Sequence, residues 1–279
     1  MHDHRIALIE APIQCVLLRA CNIDIENLEI FLVRRSGWPV PEDLMLKFFN
    51  TESIKAINSI AAVPILIKKR LVCKDVTIGS HLGRLNKFLI LIALILNYRV
   101  TLLDDGLYGI RFHSWIFSVA RLFKNLKWLS FFYRESSNDM VSSYCLTSQK
   151  FKFHYEDTIF LVLSDYKGLG VSERREKILI KKAMELALEK KMNLLVMPHR
   201  RGRFSLYKTM NLSLFSEKVL CFEHWYLESS FTNCMIIAYS SSIWQILEDH
   251  RMKTVLVDLG LNNSEWVLER INVGSIIKV

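Results

Sequence analysis

The chain is poor in the residues that interrupt regular structure, with 10 glycines and 5 prolines in 279 residues. That scarcity excludes collagen-like, low-complexity and disordered organisation. Its six cysteines, at 15, 21, 73, 145, 221 and 234, form no C-x-x-C pair, and no histidine stands at metal-ligand spacing from them. A disulfide framework and a zinc site are therefore without support, and the thiols read as reduced, mostly buried groups of a cytosolic protein. No G-x-x-x-x-G-K-[ST] loop and no G-x-G-x-x-G fingerprint occurs, which removes the main evidence for an ordinary NTPase or dinucleotide enzyme. Nor is there a G-x-S-x-G elbow for a nucleophilic serine. "MHDHRIALIE" lacks the basic-then-apolar order of a signal peptide. The longest apolar run, "FLILIALIL" (88–96), is about half a bilayer span and reads as a buried helix.

What is present is a large apolar fraction, 51%, and a surplus of 37 basic over 28 acidic residues, a net of +9. The first supports a real core. The second favours an anionic partner, whether nucleic acid, a phosphorylated small molecule or an acidic membrane face.

Apolar strands alternate with helical segments in two series. "RIALIE" (5–10), "LEIFLVRR" (28–35), "VPILIKK" (63–69), "LVCKDVTIG" (71–79) and "RVTLL" (99–103) read as strands of the first series. Between them, "IQCVLLRAC" (13–21), "PEDLMLKFFNTESIKAI" (41–57) and "LGRLNKFLILIALILN" (82–97) read as helices. After residue 155, "TIFLVLS", "NLLVMP", "KVLCFE", "CMIIAY" and "TVLVDLG" read as strands, and "SERREKILIKKAMELALEKK" (172–191) as a helix capped by Ser172. "SSIWQILEDH" and "SEWVLERI" complete the helices. Continuous apolar strands alternating with helices predict an α/β protein with parallel sheets covered on both faces. Two series predict two α/β domains, residues 1–145 and 146–279.

Open parallel sheets bind ligands at the carboxyl ends of their strands, and three polar groups fall there. "LLDDG" places Asp104, Asp105 and Gly106 after an apolar strand. A carboxylate there suits a general base, its pKa raised by the adjacent like charge or by burial. A helix cap or a glycine turn is the structural alternative. "VMPHRRG" places His199, Arg200 and Arg201 after a second strand. Fixed guanidinium donors and an imidazole suit a phosphate-linked leaving group, and a solvated basic loop is the alternative. "AYSSSIW" places Ser240, Ser241 and Ser242 between a strand and a helix, where hydroxyls and a helix N-terminus suit an anion. One serine would satisfy an ordinary cap. A base on the first domain and phosphate ligands on the second describe a transfer reaction in a central cleft.

"IEAPIQCVLLRAC", "LLDDGLYG", "MPHRRG" and "YSSSIWQIL", in that order over residues 6 to 260, resemble the GT-B-type bacterial sialyltransferases of the lipooligosaccharide and capsular polysialyltransferase families. The resemblance implies a GT-B-like fold, two Rossmann-like domains whose sheets face a central cleft. It also implies inverting transfer of sialic acid from CMP-sialic acid to a bacterial surface glycan, with no metal or other cofactor. By resemblance, Asp104 is the base that deprotonates the acceptor hydroxyl and Asp105 the second acidic position. His199 supports the departing phosphate, and Ser241 and Ser242 hold it. Gln14, in "APIQ", matches a position of the first loop. One departure stands out: Pro198 precedes His199 and Arg200 follows it, where the family places proline after the histidine.

The implied partners are a nucleotide-sugar donor and a glycan or glycolipid acceptor, with no nucleic acid. "SWIFSVARLFKNLKWLSFFYR" (114–134) sets Trp115, Val119, Leu122, Leu126 and Leu129 on one helical face among basic residues. Such a segment suits peripheral contact with an anionic inner membrane. A core helix leading into a strand is the other reading. Two alternatives to the sialyl donor remain: a GT-B transferase using a different nucleotide sugar, and a non-catalytic polyanion binder.

Overall fold

Near-continuous apolar runs such as Ile6–Ile9 and Ile30–Val33 demand cover on both faces of a sheet, and the structure supplies it. A computed structural model describes residues 4–20, 27–34, 42–49, 54–58, 60–79, 84–103, 125–129, 151–199, 201–239, 251–259 and 275–278. The chain divides into two compact units, Met1–Gln149 with Lys218–Leu227, and Lys150–Glu217 with Glu228–Val279.

The first unit contains β1 (His4–Ile9), α1 (Pro12–Ala20), β2 (Leu28–Arg34), α2 (Glu42–Phe49), β3 (Lys55–Asn58) and α3 (Ala62–Lys69). It continues through β4 (Cys73–Gly79), α4 (Arg84–Ile95), β5 (Arg99–Leu103) and β6 (Leu126–Leu129). All six strands are parallel, in the order β3-β2-β1-β4-β5-β6. This is the doubly wound order of a Rossmann sheet, whose direction of winding reverses between β1 and β4. Ala7, Ile9, Ile30, Leu32 and Leu103 pack on one face with residues of α1 and α2. Ile6, Leu8, Val76, Ile78, Val100 and Leu102 pack on the other with residues of α3 and α4.

The second unit contains β7 (Phe153–Glu156), β8 (Thr158–Val162), α5 (Glu173–Lys190), β9 (Asn193–Met197) and α6 (Phe204–Thr209). It continues, after α7 (Phe222–Leu227) of the first unit, with β10 (Ser229–Thr232), β11 (Met235–Tyr239), β12 (Lys253–Asp258) and β13 (Ser275–Lys278). Its main sheet runs β9-β8-β11-β12-β13, again all parallel, with the reversal between β8 and β11. β7 and β10 form a separate parallel pair. The α/β class with two parallel sheets is as the alternation of strands and helices predicts, and their doubly wound order is the Rossmann-like one that the resemblance implies.

Four local expectations fail for identifiable reasons. Residues 63–69, expected as a strand, lie in α3. Pro64 is tolerated there because the first-turn amides have no intrahelical partner, and Ala62 and Leu66, four apart, bury one face. The helix expected over 41–57 ends at Phe49, and Lys55–Asn58 instead pairs with β2 as the edge strand. The strand expected at 218–223 gives way to α7, in which Trp225, Tyr226 and Leu227 are fully buried. Finally, Leu126 and Leu129 belong to β6, which pairs with β5, so a helical face cannot run through them. The rest of 114–124 lies outside the described residues, as do 241–250 and 264–271. Among the described residues no helix is long and apolar enough to cross a membrane.

Candidate functional site

Each unit has its own switch point, the place where neighbouring strands connect in opposite directions and a crevice opens at their carboxyl ends. In the first unit this is the junction of β1 and β4. Pro12 opens α1 with the φ a helix needs and without an amide to orphan. Two residues on, Gln14 turns back, and its Oε1 accepts hydrogen bonds from the backbone N–H of Glu10 at 2.8 Å and of Ala11 at 3.1 Å. This is the returning half of a capping box, two otherwise unpaired amides satisfied by one side chain. Gln14 is completely buried.

The amide of Gln14 lies against the end of β4. A Cβ on Gly79 would fall 2.0 Å from its Oε1 and 2.8 Å from its Nε2, so only glycine fits. Asn86 donates to the Gly79 carbonyl at 3.0 Å and fixes the strand end from the other side. Asp104, Asp105 and Gly106 follow Leu103, the fully buried last residue of β5, and lie outside the described residues.

In the second unit the switch point is the junction of β8 and β11, and on the other side of β8 the loops after β8 and β9 meet. The backbone N–H of Leu163 donates to the Met197 carbonyl at 3.0 Å, continuing the pairing of the two strands to their ends. His199 follows two residues later. The backbone N–H of Arg201 donates to His199 Nδ1 at 3.2 Å, and that of Gly202 to the His199 carbonyl at 2.7 Å. An amide donates to Nδ1 where that nitrogen carries a lone pair, the arrangement of the tautomer with its proton on Nε2. The Arg201 guanidinium stands 3.6 Å from the Asp165 carboxylate, whose other oxygen accepts the Gly168 N–H at 2.9 Å.

Beneath this turn lies a buried polar network. Glu176, 1% exposed on the first turn of α5, receives the Tyr207 hydroxyl at 2.7 Å and pairs with the Arg203 guanidinium. Arg203 also donates to the Val171 carbonyl at 2.7 Å, and its backbone N–H donates to the Tyr207 hydroxyl at 3.1 Å. Burial, reinforced by the hydrogen bond to the Glu176 carboxylate, pushes the Tyr207 phenol above its ordinary range. Burial does the same to Tyr166, with the Glu176 charge adding to it. A Cβ on Gly202 would sit 2.7 Å from the Tyr207 hydroxyl and 2.8 Å from the His199 carbonyl. The network therefore fixes the 199–203 turn from below. None of Glu176, Arg203 and Tyr207 is evident from sequence, because the partners are 27 and 31 residues apart. The one signal in the sequence that could point to so crowded a turn is the glycine that closes "VMPHRRG".

His199 and Arg201 thus share one turn after β9, while Arg200 lies outside the described residues. Ser240, Ser241 and Ser242 follow Tyr239, the end of β11 beside β8, and also lie outside them. Among the described residues no group of three or more His, Cys, Asp or Glu could hold a metal ion. Burial raises the thiols of Cys15, Cys73, Cys221 and Cys234, which are all unpaired, away from reactive thiolate character.

No protein-family model matches the chain, and no curated protein does. Among solved structures it is similar to MurG of Acinetobacter baumannii, at 12% identity and a TM-score of 0.47, over 99% of this chain and 86% of that one. It is also similar to the GsuK channel, at 10% identity and a TM-score of 0.32, over 100% of this chain and 66% of that one. A third is the A chain of dipicolinate synthase from Bacillus subtilis, at 12% identity and a TM-score of 0.29, over 100% and 89%. At these scores the likenesses carry no functional weight.

Proposed function

We propose that the protein is a glycosyltransferase of the GT-B type, which transfers sialic acid with inversion from CMP-sialic acid to a hydroxyl of a bacterial surface glycan. The observation that carries the reading is the turn after β9. There the Arg201 amide donates to His199 Nδ1, the contact suited to a ring with its proton on Nε2, and a guanidinium stands in the same turn. Such a ring offers a hydrogen bond to an oxygen that gains negative charge, as the phosphate does when CMP departs. A preorganised donor aimed at developing charge is the most effective electrostatic device available to an active site.

In this reading Asp104 removes the proton from the acceptor hydroxyl, with Asp105 and Gly106 supporting its position. Ser240, Ser241, Ser242, Arg200 and Arg201 hold the phosphate. No metal takes part, because the cations and hydroxyls neutralise the leaving group. The donor is a nucleotide sugar and the acceptor a glycan or glycolipid met from the cytoplasmic side, with peripheral membrane contact as part of the same proposal. Gln14 keeps the first switch point in shape through its bonds to Glu10 and Ala11.

The test is release of CMP from CMP-sialic acid, with and without galactoside and sialoside acceptors. Wild type should show acceptor-dependent release. Asp104→Asn should lower it by about 10²–10⁴-fold, the usual contribution of a positioned base. His199→Ala should lower it by about 10²–10³-fold, the effect of losing one charge-stabilising donor. Binding of UDP but not CMP would move the reading to another nucleotide sugar. Binding of neither would end it.

A further inference from the structure

The face of the first sheet that α1 and α2 cover is apolar at the carboxyl ends of its strands, with Ile9 and Leu103 buried there. Toward the amino ends the same face changes character. Side chains alternate with a period of two, so this face runs from Ile9 through Ala7 to Arg5, and from Leu103 through Thr101 to Arg99. The parallel register aligns Arg5, Asp75 and Arg99 in one row across β1, β4 and β5. The next row is Ala7, Thr77, Thr101 and Lys127, reaching β6.

Arg5, Asp75, Thr77, Arg99, Thr101 and Lys127 line a cavity of about 310 Å³, at the lower end of the range that holds small ligands. Three cations there face one carboxylate, so 3 − 1 leaves +2. Asp75 accepts from Arg99 at 2.5 Å. Among the described residues Arg5 and Lys127 have no carboxylate partner, and the hydroxyls of Thr77 and Thr101 make no hydrogen bond. Thr77 is nevertheless only 7% exposed. A doubly wound sheet normally buries Val, Ile and Leu at such positions.

We propose that this cavity is a binding site for a phosphate group. A guanidinium fork, an ammonium and two hydroxyls, brought from four adjacent strands, offer donors from several directions. That arrangement suits a tetrahedral oxyanion better than a planar carboxylate, and the +2 balance matches a phosphate dianion. Asp75 holds Arg99 in place and at the same time opposes the incoming charge. The site lies at the amino ends of the strands, away from the carboxyl ends that carry Asp104, and does not rest on the sialyl-transfer reading. A free phosphate ester and a phospholipid headgroup share this chemistry.

Two assays on the full chain separate these sources: isothermal titration with inorganic phosphate at low salt, and co-sedimentation with vesicles of phosphatidylglycerol and phosphatidylcholine. Each is run on wild type, on Arg5→Gln/Lys127→Gln and on Asp75→Asn. The double variant should lose roughly tenfold or more in affinity, because two charged hydrogen-bond donors are removed. Asp75→Asn should bind roughly threefold or more tightly, an increase that general loss of structure would not produce. If the double variant is misfolded by circular dichroism, the exposed Lys127→Gln alone should still weaken binding about threefold. Phosphate binding with these shifts makes the site one for soluble phosphate compounds. Binding confined to the anionic vesicles with the same shifts makes it a headgroup site. Absence of binding in both assays, or binding that ignores all three substitutions, overturns the proposal.

Discussion

The switch point of the first unit and the turn after β9 in the second are built on sheets of the same kind and are secured by opposite means. At the β1–β4 junction one side chain, Gln14, satisfies the amides of residues three and four positions earlier, and Gly79 makes room for it. At the β8–β9 end the turn that carries His199 rests on Glu176, Arg203 and Tyr207, which come from two helices and the loop between a strand and a helix. The first is a local device, and each of its contacts is short in sequence apart from that with Gly79. The second is a tertiary device, and its bonds exist only once α5 has packed on the sheet. A local device is cheap to form, yet it fixes only a strand end. The tertiary device commits a buried ion pair, and it fixes a turn bearing groups suited to chemistry.

The largest effect should come from breaking that ion pair on one side only. Arg203→Ala leaves the Glu176 carboxylate buried with the Tyr207 hydroxyl but without its cation, and removing one partner of a buried pair costs about 3–5 kcal/mol. Urea denaturation should show this loss. Glu176→Met combined with Arg203→Met should recover most of it, because neither charge then remains to be desolvated. If the recovered double variant falls short of wild type in the proposed CMP-release assay, the network serves to aim the turn after β9 as well as to hold it. If both single and double variants melt like wild type, the contrast between the first switch point and the turn after β9 is wrong.

That contrast also accounts for what the sequence discloses. Strand alternation and apolar continuity reveal both sheets, because each residue's burial follows from the fold period alone. Ser172 as a cap is legible because its partner, the N–H of Arg175, is three residues away. The ends of β5, β9 and β11, at Leu103, Met197 and Tyr239, are legible because each closes an apolar run. The network under His199 is not legible, since nothing in "SERREKIL" distinguishes Glu176 from the exposed Glu173 beside it. The errors have the same root. Residues 63–69 are rich in β-branched and aliphatic side chains, and only packing, with Tyr98 donating to the Leu66 carbonyl at 2.6 Å, decides for a helix. Residues 218–223 look like a strand because their pattern is short and apolar, and a run of that length does not separate a strand from a buried helix.

The next effect in size tests the first switch point. Gly79→Ala drives a methyl group to 2.0 Å from Gln14 Oε1, and overpacking of this kind costs about 1–3 kcal/mol. Gln14→Ala removes the acceptor of the Glu10 and Ala11 amides, with a loss of about 1–2 kcal/mol. The two changes should not add. With the amide gone, the new methyl group has room, so the double variant should be more stable than the sum of the single losses by about 0.5 kcal/mol or more. Thermal unfolding of the four proteins closes the cycle. Strict additivity would mean that Gln14 moves aside freely, and the first switch point would then be no more fixed than an exposed loop.

The smallest effect concerns the helix that joins the two kinds of device. Ser172 caps α5 locally, accepting from Arg175 N–H at 3.3 Å, and Glu176 on the same first turn anchors the tertiary network. Ser172→Ala should cost about 1 kcal/mol, and Ser172→Gly only a few tenths, because glycine keeps the extended backbone of the cap accessible. A frayed first turn would loosen Glu176, so the cost of Ser172→Ala should shrink when Arg203 is already absent. Measured in the wild-type and Arg203→Ala backgrounds, an unequal cost shows that the cap supports the network. An equal cost shows that α5 starts independently of it, and that the turn after β9 draws its order from Arg203 and Tyr207 alone.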